Sequence, residues 1–129
     1  MKLLYLPMLV ILYMVPTVAG PIEKVAELIR QGNVAELTKM FASNVEITIQ
    51  NEENLYSKVQ AGLILDKFFS QNKPVSVKVL HKVNSNPSYL LGVLILNTQK
   101  GAYRVAYTLK QADGASTLIE LRIETEKVK

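Results

Sequence analysis

The sequence has no cysteine and a single histidine, His81. Without cysteine there is no disulfide scaffold, no thiol nucleophile, no thiolate-ligated zinc and no lipid-bearing cysteine at a processing site. One histidine and no thiol remove most versions of the Ser/His/Asp and Cys/His arrangements used in nucleophilic catalysis. No pair of metal-ligating residues stands at a helical or loop spacing typical of a site, and the DxDxDG pattern of a calcium loop does not occur. No glycine-rich phosphate cradle follows a strand; Gly92 and Gly101 read as a strand irregularity and a turn. These absences leave no catalytic residue, no metal and no cofactor to assign. Internal repeats, low-complexity tracts and dividing linkers are lacking too.

Long apolar runs are also scarce: the one that stands out is at the N-terminus. "MKLLYLPMLVILYMVPTVAG" carries one early cation, Lys2, then an uncharged stretch from Leu3 to about Val15, and closes in small residues with Thr17 and Ala19 before a cleavage point. The run falls short of the roughly 20 residues a membrane span needs, and Pro7 and Pro16 suit a long helix poorly. Residues 1–19 therefore read as a cleaved signal peptide, and 20–129 as a single domain that is exported, periplasmic or extracellular, with no stable membrane span after cleavage. Removing the first 19 of 129 residues leaves 110, enough for one core built by packing alone. Loss of Lys2 lowers the 15 Lys and Arg to 14 against 11 Asp and Glu, a balance of +3. The lysines are dispersed and none lies in a run, which points to solvated faces and not to a nucleic-acid partner.

Hydrophobic periodicity lays out the domain. "PIEKVAELIRQG" has Pro21 in a first-turn position, an apolar stripe of Ile22, Val25, Ala26, Leu28 and Ile29, and Gly32 as its closing residue. Asn33 with Glu36 has capping-box spacing, opening a second helix that buries Leu37, Met40 and Phe41. "NVEITIQN" alternates as a half-exposed strand, and "NEEN" reads as a loop. Ser57 with Gln60 caps a third helix with Ala61, Ile64, Leu65, Phe68 and Phe69 on one face; Val59 and Leu63 lie off it, so cover on more than one side is expected. Pro74 ends this helix. Strands follow: "VSVKVLHKV", then "YLLGVLILN", apolar on both phases as a strand buried on both sides would be, then "AYRVAYTLK", and last "TLIELRIETEK" with Ile119, Leu121 and Ile123 inward. The reading is α+β: three N-terminal helices on a curved, mostly antiparallel sheet of about five strands, forming a cone.

The element order, with "LYSKVQAGLILDKFF", the histidine in the next strand, "YLLGVLILNTQKGAYRVAYTLK" and the closing "IELRIE", resembles a bacterial family of small exported proteins of unknown function. That family is placed in the nuclear transport factor 2-like (cystatin-like) superfamily, and the resemblance runs from about Ile22 to Glu126. It implies the cone fold. The superfamily holds ketosteroid isomerase-like enzymes, dehydratases, ligand binders and non-catalytic assembly domains, so fold alone does not choose among activities.

Isomerase or dehydratase chemistry in such a cone needs a carboxylate or histidine base in an apolar cavity and a hydroxyl donor opposite it. The ligand-pocket candidates are His81, Asp66, Tyr103 and Tyr107. Asp66 flanks the apolar face of the long helix, and the tyrosines share the inward phase of their strand. His81 is in phase with Val75, Val77, Val79 and Val83, near the strand's end, which places it inward at the rim of the cone. No aspartate occurs in the predicted strands, a departure from isomerase-like patterns. Two classes of function follow: a non-catalytic binding or assembly module for a small molecule or protein, or a small-molecule enzyme. The apolar strands exceed what three short helices cover, so a homodimer through the sheet face is expected.

Overall fold

The computed structural model describes residues 20–126; the expected signal segment lies outside them. Pro21, with no N–H to leave unpaired, sits in the first turn of α1 (Pro21–Gln31), whose predicted stripe is buried. Gly32 closes it at φ 65°, its N–H on the Ile29 carbonyl and the next N–H on Leu28. The Asn33 side chain accepts the Glu36 N–H at 3.2 Å and starts α2 (Val34–Met40). The Glu36 carboxylate does not complete the box; it meets Lys39 at 3.0 Å. Phe41 leaves the helix because its backbone pairs with Leu118, and it opens β1 (Phe41–Ile49).

The sheet has six strands, not five. Gln50 and Asn51 both take positive φ, 50° and 75°, the signature of a tight hairpin turn. The segment read as a loop is therefore β2 (Glu52–Ser57), paired antiparallel with β1 from Ile49↔Glu52 to Asn44↔Ser57. Ser57 ends the strand and caps α3 (Lys58–Gln71) with the full predicted box: Gln60 N–H to Ser57 Oγ and Ser57 N–H to Gln60 Oε1, each 3.2 Å. The meander β3 (Pro74–Asn86), β4 (Tyr89–Thr98), β5 (Gly101–Ala112), β6 (Ala115–Thr125) follows, and β1 lies parallel beside β6. The order is β2-β1-β6-β5-β4-β3.

The three helices of the described residues cover one face: α1 packs on β3 and β4, α3 on β1 and β2, and α2 joins them at the corner. The core forms between these layers around Leu65, Leu94, Tyr107, Leu109 and Leu121. Val59 and Leu63, expected under a second cover, are 71% and 66% exposed. The pairing of β3 with β4 shifts register three times, and the first two shifts fall within the run of valines. Pro74 pairs with Thr98 but Ser76 with Asn97, and Val79 pairs with Leu94 but His81 with Val93, so Val75 and Leu80 are extra residues. Each bulge reverses the phase, which is why Val77 and Val79 face the helices while His81 and Val83 do not. A bulge at Ile119 likewise puts Leu118, not Ile119, into the core. Among the described helices none is long and apolar enough to cross a membrane.

Candidate functional site

The four candidate residues occupy three separate places. Tyr103 and Tyr107 come from the inward phase of β5 and are both buried. Tyr103 donates its hydroxyl to Asn72 Oδ1 at 2.8 Å; Asn72 in turn donates to the Phe68 carbonyl at 3.0 Å, and the Phe68 ring packs edge-on against Tyr103. Tyr107 donates to the Ile22 carbonyl of α1 at 2.7 Å, tying the middle of the sheet to the first helix. Burial pushes its phenol well above the ordinary value, with the charge of Glu23 adding to the shift. The ring lies over Gly92, where a Cβ would stand 2.7 Å from Tyr107 Cζ and 2.9 Å from Ile22 Cγ2. Both phenols act as internal braces in the space where a ligand in the cone would sit.

Asp66 is exposed on α3 beside an open cleft of about 260 Å³ that also touches Gln31, Ser70 and Lys73. His81 is exposed on the opposite, helix-free face of the sheet, not inward at the rim. Leu80 is the cause: as the bulged residue it turns His81 away from the helices. Among the described residues no group of three His, Asp or Glu side chains is arranged to hold a metal ion.

Two surface features bear on function, one expected from the sequence and one not. The first is the helix-free face. On β4 the outward phase carries Tyr89, Leu91, Val93 and Ile95, while Leu90, Leu94 and Leu96 of the other phase are buried under the helices. Expected burial on both sides is thus met on one side alone. Alongside, β5 presents Ala102, Arg104, Ala106 and Thr108, and β3 presents Val83, His81 and Lys78. The far half of the face is acidic: Glu53, Glu46, Glu120 and Glu124, with Arg122 held to Glu124 at 3.4 Å. There the Glu46 carboxyl is raised above its usual value, chiefly by sharing a hydrogen bond with Glu53, then by desolvation and the nearby charges. Strict apolarity of "YLLGVLILN" on both phases was the available signal.

The second feature is a groove of about 320 Å³ between the β1–β2 hairpin and the second half of α3. Its floor is Ile47, Ile49, Ile64 and Phe68; its β2 wall presents Glu52, Asn54 and Tyr56, and its helix wall Lys67 and Gln71. Reading 51–54 as a loop hid this alternation, in which Glu52, Asn54 and Tyr56 share one face of a strand.

The chain's architecture has known counterparts. A protein from Bacteroides uniformis is 26% identical, with a TM-score of 0.79 over 84% of this chain and all of that one. One from Bacteroides ovatus is 23% identical, with a TM-score of 0.76 over 81% and 94% of the two chains. Both are described as DUF4783 family proteins. An NTF2-like protein from Cytophaga hutchinsonii, 11% identical, superposes with a TM-score of 0.61 over 81% and 91%, which speaks to the fold alone. No curated protein matches. The model of the domain of unknown function DUF4783 matches residues 22–124, and the chain belongs to that family.

Proposed function

We propose that this chain is a non-catalytic assembly and binding module whose helix-free sheet face takes a second copy of itself. The observation that carries the reading is the β4 column of exposed Tyr89 and half-buried Leu91, Val93 and Ile95, large apolar side chains on the face that none of the described helices covers. Charge selects the geometry. A two-fold axis running along the strands at the β4–β5 seam lays β4 of one copy over the alanine-bearing β5 of the other, and basic β3 over acidic β6. An axis across the strands would stack the acidic strands on themselves. In the favoured arrangement Val93 faces the partner's Ala106, and Lys78 faces the partner's Glu124, with the usual angle of about 30° between twisted sheets. The isomerase- or dehydratase-like alternative calls for a base and a hydroxyl donor converging on one cavity. Weighing for the module are the separation of His81, Asp66 and the tyrosines and the engagement of both phenols within the core.

Sedimentation at micromolar concentration is expected to give a dimer, and Lys78→Glu or Glu124→Lys alone to give monomer. Mixing the two variants restores a heterodimer, since each altered charge then meets its opposite. A wild-type monomer, or dimers indifferent to both charge reversals, would overturn the reading. The same reading puts the module in the periplasm or the medium, with residues 1–19 as the export signal. N-terminal sequencing of the exported chain is expected to begin at Gly20; Met1 retained there would count against it.

A further inference from the structure

We infer that the groove between β2 and α3 binds a small zwitterion with an apolar body, of the class of apolar dipeptides. The site is separate from the sheet face and does not depend on it.

Three observations converge. The floor of Ile47, Ile49, Ile64 and Phe68 is apolar and continuous across a strand and a helix, so it rewards burial of an apolar side chain. The volume, about 320 Å³, sits at the lower end of the range of ligand pockets, about 300–1,000 Å³, and suits a molecule of few atoms. The rim is polar on both walls and unpaired. Glu52, Asn54 and Tyr56 on one side and Lys67 and Gln71 on the other make no side-chain hydrogen bond or ion pair among the described residues. Elsewhere on the surface five ion pairs form, among them Glu23 with Lys82 and Arg104 with Glu126, while other exposed charges such as Lys24, Lys100 and Asp113 have none among the described residues.

Glu52 and Lys67 are the deciding pair. They line the same groove from opposite walls, yet they do not form an ion pair. A ligand carrying only an anionic group would satisfy Lys67 and be repelled by Glu52; a purely cationic one would meet the reverse. A molecule with an ammonium at one end and a carboxylate at the other satisfies both, its apolar side chains lying on the floor between them. Asn54 and Gln71, each with donor and acceptor atoms, match an intervening amide. Both walls are held rigidly: β2 by its register with β1, α3 by its capping box and by Phe68 in the core.

The probe is leucyl-leucine, titrated calorimetrically into the protein, with N-acetyl-leucyl-leucine as the charge-blocked control. Saturable binding is expected, weakened by about tenfold in Glu52→Gln and again in Lys67→Gln, the loss of one charge-assisted hydrogen bond in each case. Acetylation of the ligand is expected to weaken binding to the wild type by a similar factor and to leave binding to Glu52→Gln unchanged. That non-additivity identifies the ammonium as the partner of Glu52. Both side chains are exposed, so the variants keep the fold. Absence of saturable binding at millimolar dipeptide would overturn the inference, as would binding insensitive to both substitutions or equal penalties for acetylation in wild type and Glu52→Gln.

Discussion

His81 and Tyr107 show how differently two polar residues of one sheet can act. Both were nominated for a pocket on phase. One extra residue, Leu80, sends His81 to solvent, while Tyr107 stays inward and meets a backbone carbonyl 85 positions away. Gly92 makes room for that contact: a methyl group there would collide with the phenol ring and with Ile22. Tyr107→Phe keeps the packing but loses the hydroxyl bond to the Ile22 carbonyl, which still serves as an acceptor inside α1, and is expected to cost about 0.5–1.5 kcal/mol. His81→Ala, in contrast, removes a solvated side chain and is expected to stay within about 0.5 kcal/mol of the parent. Urea unfolding at concentrations where the chain is monomeric checks the pair. A large loss in His81→Ala with none in Tyr107→Phe would contradict this placement of the two.

At the scale of elements, helix starts and stops were legible because their chemistry is local. Gly32 closes α1 and Ser57 with Gln60 opens α3 through contacts spanning three residues, which a linear reading can see. β2 was not legible. As an edge strand with solvent on most sides it has no apolar alternation to display: Leu55 is 70% exposed and Tyr56 is its one half-buried residue. Its presence is declared by the backbone of Gln50 and Asn51, and neither residue type is the usual glycine of such a turn. In β3 the alternation of valines was real, but two bulges cut it into pieces of opposite phase, and bulges depend on pairing with β4 that lies elsewhere in the sequence. The fold class survived these errors because it rests on element order. The candidate site did not come together, because a site needs phase and cross-strand neighbours to be right at once.

At the scale of the whole molecule, the charge is unevenly placed: a chain of net charge +4 carries an acidic half-face on β2, β1 and β6. Glu46 reports this crowding. Its folded carboxyl is raised above the unfolded value, so the folded state holds the proton more firmly. The resulting gain in stability is fully present below the unfolded value and is lost as pH rises through the folded one. Glu23 runs the other way. A 2.6 Å contact with Lys82, followed by its own backbone N–H, holds its carboxyl below the usual range. Its contribution is present above the unfolded value and is lost as pH falls through the folded one. Two glutamates, one on α1 and one on the helix-free face of the sheet, thus push stability in opposite directions with pH. Glu46→Gln is expected to raise the melting temperature at neutral pH, and Glu23→Gln to lower it. Both differences should shrink towards zero as the pH falls below the ordinary carboxylate range, where the parent side chains are protonated and uncharged. Melting curves of the three proteins between pH 3 and pH 7 decide the matter. If Glu46→Gln lowers stability at neutral pH, or either difference persists undiminished in acid, the hydrogen bond shared with Glu53, the desolvation and the like charges around them are not what raise this carboxyl.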